Sequence, residues 1–215
     1  MNYKLIIFDM DGTLLADRTI YALAGALGFE GQLHEIIASD IQKYKKTKEI
    51  ARILKGLSVE RFLDIFDGIP LQIGAQKTIA AVKKAGMTTA IATDCYQLAA
   101  DRLAKRLGIN RAFANELNIK GGKITGEIKL NNQRLEPRMP GCKIHSICKR
   151  DILRNLCDEL GVSLAESVVV GDGNIDRCMI EDAGMGIAFE APAELNEVAD
   201  VVVKGDLSKI LEHIL

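Results

Sequence analysis

Two apolar patterns alternate along this chain. The first is a set of short continuous runs: Leu5–Phe8, Thr88–Thr93, Ser167–Val170, Gly186–Phe189 and Val201–Val203. Runs without polar alternation suit strands covered on both faces, as in a parallel sheet. The second is helical periodicity over Ala75–Ala85, Tyr96–Leu107 and Lys149–Leu160, followed by Gly86, Gly108 and Gly161. A glycine just past the last periodic residue is the usual helix stop. Pro192 fits the first turn of a short helix, and Asp206 can cap the last one. The alternation predicts an α/β fold: a Rossmann-like open parallel sheet with helices on both faces and right-handed crossovers.

Two stretches interrupt that rhythm. Residues 15–73 hold no β-branched run and read as helices over Thr19–Leu27, Gln32–Ser39, Thr47–Leu54 and Val59–Phe66. The pattern predicts an inserted helical cap domain over 15–73, and an α/β core built from 1–14 and 74–215. In the second interruption, Leu117–Ile128, Lys120-Gly121-Gly122-Lys123 separates two β-like pieces and predicts a small β-hairpin flap. Leu130–Lys143 holds Pro137, Pro140 and Gly141 and reads as loop.

Composition narrows the function classes. The 215 residues are 48% hydrophobic and 27% charged, which excludes wholesale disorder. Lys and Arg number 28 against 29 Asp and Glu, so a dedicated nucleic-acid binder is not expected. Lys43, Lys45, Lys46, Lys48, Arg52 and Lys55 have Tyr44 alone among them as an aromatic, and read as a solvated helix face. No apolar run approaches the ~18 residues of a membrane span, so no membrane partner is expected. The N-terminal apolar stretch is too short for a signal peptide, which predicts a cytoplasmic protein. The five cysteines are odd in number and form no C-x-x-C pair, the pattern of reduced thiols. Cys142, His145 and Cys148 stand three apart, but no fourth ligand for zinc stands at a convincing spacing. Oligomeric state is not legible.

Candidate chemistry sits at the ends of the predicted strands, where ligands of open α/β sheets gather. Asp9-Met10-Asp11-Gly12-Thr13 follows the first. Two carboxylates one residue apart repel, so their pKa values can be driven apart, leaving one an anionic nucleophile and the other a proton carrier. Gly171-Asp172-Gly173-Asn174-Ile175-Asp176 follows the predicted strand at Val168–Val170. Asp172 and Asp176 join Asp9 at the same mouth, and oxygen ligands of this kind select hard Mg²⁺. Thr93 ends the second run, where its hydroxyl and the amides after it, Asp94 included, can hold an anion. Lys149 opens a helix and is a natural charge partner for both carboxylates and phosphoryl oxygens.

In this order the residues resemble the four motifs of the haloacid dehalogenase-like (HAD) hydrolase superfamily: Asp9-Met10-Asp11-Gly12-Thr13, Thr93, Lys149, and Gly171-Asp172 with Asp176. The resemblance covers nearly the whole chain. It is nearest to the phosphoserine phosphatase branch, through the helical cap, Ala112-Phe113-Ala114-Asn115, the Gly122–Gly126 hairpin and the tail from Ala199 to Leu211. It implies an Mg²⁺-dependent phosphatase acting on a small-molecule phosphate ester. Asp9 would form an aspartyl-phosphate, and Asp11 would protonate the leaving oxygen and then activate water. Asp9, the Asp11 carbonyl, Asp172 and Asp176 would hold the metal, while Thr93, Asp94 and Lys149 would hold the phosphoryl group. A phosphomutase or phosphotransferase would use the same residues, and a non-catalytic phosphate- or metal-binding scaffold would usually lack Asp9, Asp11 or Lys149.

The chain also departs from that branch. Thr93-Asp94-Cys95 stands where Ser-Gly-Gly is common, and Ile175 stands where Asn is common, with Asn174 displaced by one. Arg18 falls at the cap glutamate associated with the substrate amino group. A guanidinium favours a carboxylate or second phosphate, which predicts a substrate with a second anionic group and no essential ammonium.

Overall fold

The computed structural model describes residues 3–137 and 143–215. Each apolar run forms a strand: β1 (Leu5–Phe8), β2 (Thr88–Tyr96), β5 (Ser167–Gly171), β6 (Met185–Phe189) and β7 (Val201–Val203). With β3 (Arg111–Lys120) and β4 (Lys123–Lys129) they make one seven-stranded sheet, ordered β4-β3-β2-β1-β5-β6-β7. The β3–β4 pair is antiparallel and the other pairings are parallel. Every residue of β1 and β5 is buried, as a strand covered on both faces requires. Leu5 and Ile7 pack with Ala90, Val169, Leu153 and Leu156 on one side. Ile6 and Phe8, pointing the other way, pack with Ile91, Val168, Val170, Ile79 and Leu103.

The chain leaves β1 toward β2 and later returns on β1's other side as β5. This is a topological switch point, and it opens a crevice between the carboxyl ends of β1 and β5. The helices that flank the sheet are α5 (Ala75–Lys84), α6 (Gln97–Leu107), α7 (Lys149–Leu160), and the shorter α8 (Arg177–Ile180), α9 (Ala193–Asn196) and α10 (Leu211–Ile214). Asp206 accepts the Ser208 N–H at the start of the last helical segment.

Between β1 and α5 lies the helical insert: α1 (Thr19–Leu27), α2 (Glu30–Ala38), α3 (Lys43–Ile53) and α4 (Val59–Asp67). It shares one hydrophobic cluster with the sheet, in which Leu23, Phe62 and Phe66 join Phe8 and Leu103. The Phe62 ring meets Tyr96 edge-on at 5.9 Å between centroids. A second tie is made by backbone. Gly56 donates to the Ile124 carbonyl at 2.8 Å, Ile124 donates to Leu57 at 2.9 Å, and Val59 donates to Gly122 at 2.9 Å. The α3–α4 link is thus stitched to the hairpin like an extra short strand.

Several elements differ from the sequence expectation. β2 does not end at Thr93 but runs on to Tyr96 after a register shift. Buried Asn115 holds that extension, its Nδ2 donating to the Asp94 carbonyl at 2.7 Å and to the Cys95 carbonyl at 3.3 Å. The expected hairpin is present as β3 and β4, and its first strand is longer than expected: the first half of β3 pairs with β2 inside the main sheet. That half, Arg111-Ala112-Phe113-Ala114-Asn115, is too short and too polar at its ends to read as a strand from its pattern. α3 starts at Lys43 rather than Thr47, because its first turn is polar and exposed and carries no apolar period. Of the cysteine–histidine trio, Cys142 lies outside the described residues. Among the described residues no helix is long and apolar enough to cross a membrane.

Candidate active site

Asp9 stands one residue past β1 and is still tied to β5, its N–H donating to the Val170 carbonyl at 2.9 Å. Its Oδ1 accepts the Met10 N–H at 2.6 Å and takes Lys149 Nζ at 2.8 Å. Lys149 is the first residue of α7, and its side chain is fully buried, reaching Asp176 Oδ1 at 2.6 Å as well. Burial pulls the lysine pKa down, but Asp176, Asp9 and Asp94 outweigh it and the net shift is upward, so the ammonium stays charged. Asp176 precedes α8 and accepts the Gly173 N–H at 3.1 Å. Asp172 follows β5 and accepts from Arg18 Nη2 at 3.2 Å.

Two glycines make this convergence possible. A Cβ on Gly12 would lie 2.4 Å from Asp172 Oδ2, and Gly12 has φ +90, a conformation other residues resist. A Cβ on Gly171 would lie 2.3 Å from Asp176 Cγ. The loop after β1 and the strand end of β5 can therefore close around one small space.

Asp9, Asp172 and Asp176 each place an oxygen in that space, all within 4.8 Å of one another. Burial pushes the Asp172 carboxyl up, and Asp9 and Asp176 push it further. Asp176 is also raised by burial despite Lys149 beside it. One buried lysine does not offset three crowded carboxylates. An oxygen-only set with surplus negative charge and a glycine-lined cradle fits a hard divalent cation.

Asp11 plays no part in that cluster through its side chain. Its Oδ1 accepts the Thr19 hydroxyl at 2.6 Å. Burial raises its pKa to about 7, against the lowering effect of that hydrogen bond, with Asp9 and Asp94 adding to the rise. The two acids of the D-x-D pair are thus separated: one locked to a cation, the other raised toward neutrality by burial while its oxygen accepts the Thr19 hydroxyl.

Thr93 is fully buried, and its Oγ1 accepts the Cys95 N–H at 3.2 Å. α6 begins only at Gln97, so the amides just after Thr93 belong to a strand and a bulge, not to a helix N-terminus. Asp94 is exposed at the same strand end, and Lys149 and Arg18 are the cations that act on it. Arg18 does not point away into solvent; it begins the insert, reaches back over the crevice and pairs with Asp172. Sequence reading missed Thr19 and Ser146, and it named Asn115 only as part of a segment without its role; the Ser146 hydroxyl accepts from Asn115 Nδ2 at 3.0 Å. Thr19 carried a signal, a hydroxyl at a helix start eight residues after Asp11, but the pattern gave no sign of its direction.

A mostly parallel sheet with three acids at its switch point and a buried lysine among them defines a class. The family model for haloacid dehalogenase-like hydrolases matches residues 6–181. The phosphoserine phosphatase of Archaeoglobus fulgidus is 36% identical over 210 residues, covering 96% of this chain and 57% of that protein, so the chain spans little more than half of that relative. The phosphoserine phosphatase of Methanocaldococcus jannaschii is 32% identical over 216 residues, covering 98% of this chain and 97% of that one. A solved phospho-aspartyl intermediate analogue of phosphoserine phosphatase superposes with a TM-score of 0.85 at 30% identity, over 100% of both chains. A substrate-bound phosphoserine phosphatase complex matches equally, also with a TM-score of 0.85. The chain belongs to the phosphoserine phosphatase family of the haloacid dehalogenase-like hydrolases.

Proposed function

We propose that the protein is a phosphoserine phosphatase, hydrolysing a small phosphate monoester in two steps through a phosphorylated Asp9. The observation that carries this reading is Lys149 buried between Asp9 and Asp176, beside an Asp11 whose pKa lies near neutrality. Met10 N–H and Lys149 fix Asp9 through Oδ1, and we assign the attack to its second oxygen. In the first step an Asp9 oxygen bonds to phosphorus as the ester P–O bond breaks, and Asp11 gives its proton to the departing oxygen. In the second, water attacks phosphorus while Asp11 takes back a proton. The Asp9–phosphorus bond breaks, and phosphate and the free carboxylate are restored.

Asp9, Asp172 and Asp176, with the Asp11 carbonyl, are the residues we assign to Mg²⁺. Bound there, Mg²⁺ would neutralise charge on the transferring phosphoryl oxygens. Lys149 holds Asp9 in line and adds positive charge where the phosphoryl group passes. Thr93 and the main chain of Asp94 fit the oxygens on the opposite side. Residues 15–73 act as the cap over a core of 1–14 and 74–215, excluding water while the ester bond breaks.

The test is release of inorganic phosphate from O-phosphoserine by purified protein with Mg²⁺. Loss of activity in EDTA and a fall of roughly 10³ or more in kcat for Asp9→Asn are expected. Full activity in EDTA, or in that variant, would overturn the assignment. Transfer of the phosphoryl group to an added alcohol in preference to water would mark a phosphotransferase instead.

A further inference from the structure

The backbone ladder between β2 and β3 is interrupted beside the end of β2 that carries Thr93. Between the Ala92–Phe113 and Tyr96–Asn115 pairs, Thr93, Asp94 and Cys95 face Ala114 alone. The Ala114 N–H is taken by Gln97 Oε1 at 2.8 Å. Carbonyls in a bulge lose their ladder partners and need others. Asn115, fully buried on β3, supplies them: its Nδ2 donates to the Asp94 carbonyl at 2.7 Å and to the Cys95 carbonyl at 3.3 Å.

The rest of the carboxamide is committed as well. Nδ2 also donates to Ser146 Oγ at 3.0 Å, and Oδ1 accepts the Asn131 N–H at 3.0 Å. An amide nitrogen has two protons to give, so the three acceptors around Nδ2 share them. The reverse orientation would turn Oδ1 toward two carbonyl oxygens, so the network admits one placement. Ser146 is buried and stands in the segment that leads into α7, whose first residue is Lys149. Asn132 steadies that segment, its N–H donating to the Ser146 carbonyl at 2.8 Å and its Nδ2 to the His145 carbonyl at 3.0 Å. Asn115 therefore lies between the strand end that carries Thr93 and the segment that delivers Lys149.

One planar peptide carries its influence to Thr93. In a trans peptide the C=O and the N–H point in opposite directions. By holding the Asp94 carbonyl, Asn115 turns the Cys95 N–H the other way, onto Thr93 Oγ1 at 3.2 Å. A threonine hydroxyl has one proton to donate, and an oxygen that already accepts from Cys95 keeps that proton for another group. The geometry points to Asn115 as a positioning residue for phosphoryl transfer. Through the Asp94–Cys95 peptide it aims the Thr93 hydroxyl at the phosphoryl oxygens, and through Ser146 it ties that aim to the segment ahead of Lys149. This rests on the phosphatase reading above and adds to it the side chain that sets its phosphate-holding strand end.

The experiment is a double-mutant cycle on the inhibition constant of inorganic phosphate, measured with Mg²⁺ against hydrolysis of O-phosphoserine. Thr93→Val removes the hydroxyl, and Asn115→Ala removes the carboxamide. Each single variant is expected to weaken phosphate inhibition about 10-fold, the effect of one hydrogen bond to a charged group. Because Asn115 acts through Thr93, the double variant should also be about 10-fold weaker, whereas independent effects would multiply to about 100-fold. Half-saturation by Mg²⁺ should stay near the wild-type value throughout, since Asp9, Asp172 and Asp176 lie outside the network. Asn115→Asp keeps the shape and the acceptor for Asn131 but turns an oxygen toward the carbonyls, so it should be no better than Asn115→Ala. Should the Asn115 variants not fold, Ser146→Ala, which removes only the far anchor of the carboxamide, takes their place in the same cycle. A multiplicative double variant, phosphate inhibition of wild-type strength in the folded variant, or an equal loss of Mg²⁺ affinity would overturn the positioning role. Those results leave the wild type hydrolysing O-phosphoserine. A wild type that neither hydrolyses it nor binds phosphate would overturn the phosphatase reading, and the role of Asn115 with it.

Discussion

Replacing Lys149 by methionine removes a cation whose side chain is fully buried while keeping most of the side chain's volume. Its Nζ lies 2.8 Å from Asp9 and 2.6 Å from Asp176, and neither carboxylate is open to water at that contact. Breaking a buried ion pair from one side costs about 3–5 kcal/mol, because the remaining charge is left uncompensated. For a chain of this size each kcal/mol moves the melting temperature by about 2–4 °C, so Lys149→Met should melt about 6–20 °C lower in EDTA near neutral pH. Because the folded-state lysine pKa is raised above its ordinary 10.5, this contribution is fully present below that value and fades only in alkali. The deficit of the variant should shrink toward about pH 5, where Asp176, already pushed up to about 7, can protonate rather than stand as an unpaired anion. Turnover should fall by about 10²–10³-fold, the cost of one lost electrostatic donor. The assay is differential scanning fluorimetry in EDTA alongside phosphate release with Mg²⁺. A melting shift under about 2 °C together with near-normal kcat would refute the view that this lysine holds the acid cluster together.

Asp172 is pushed up to about 8 from 3.8, so the metal-free folded state keeps protons that the unfolded chain has released. Stability should therefore fall as pH rises across that window, and the gain in melting temperature on adding Mg²⁺ should grow from about pH 5 to about pH 8; an equal gain at both would count against carboxylate ligation. Thr19→Val removes the hydroxyl that lowers the Asp11 pKa, so the alkaline limb of the kcat profile should move upward from about 7, and a profile that stays put would exclude this hydroxyl as its tuner. Val59→Pro deletes the N–H that stitches α4 to Gly122, at a first-turn helix position where proline is tolerated. It should narrow the preference for O-phosphoserine over p-nitrophenyl phosphate, and an unchanged ratio in a folded variant would mean that this seam does not steady the cap.

Much of the fold was legible because burial on both faces leaves a plain mark. Leu5–Phe8 carries no polar residue and is buried throughout, and its strand boundaries could be read directly; the edge strand Val201–Val203 was read from its unbroken apolar run although Val202 is exposed. The helices with apolar stripes and a glycine stop, such as Lys149–Leu160, were equally plain. The start of α3 was not, since Lys43, Tyr44, Lys45 and Lys46 form its opening turn without an apolar period. The first half of β3 was hidden because Arg111–Asn115 is short and polar at its ends although its backbone pairs with β2, and the extension of β2 was hidden because it is held by the Asn115 side chain, a tether that leaves no periodic trace. The acids at the site were visible as residue types at strand ends. What could not be read was direction: that Asp11 turns to Thr19 and that Arg18 leans inward over Asp172.

The central claim is that Asp9 is phosphorylated during turnover, and it can be tested on the protein directly. Asp11→Asn should slow loss of the phosphoryl group from Asp9 by about 10²–10⁴-fold, because the group that activates water is gone. That variant would be mixed with Mg²⁺ and a phosphate ester with a good leaving group, quenched in acid within the first turnover, and digested with trypsin. The account predicts a phosphorylated Leu5–Arg18 peptide with the added mass on Asp9, and none when Mg²⁺ is omitted or Asp9 is also replaced by Asn. Leaving-group release with no phosphorylated peptide at any quench time, or phosphate on a residue other than Asp9, would contradict it.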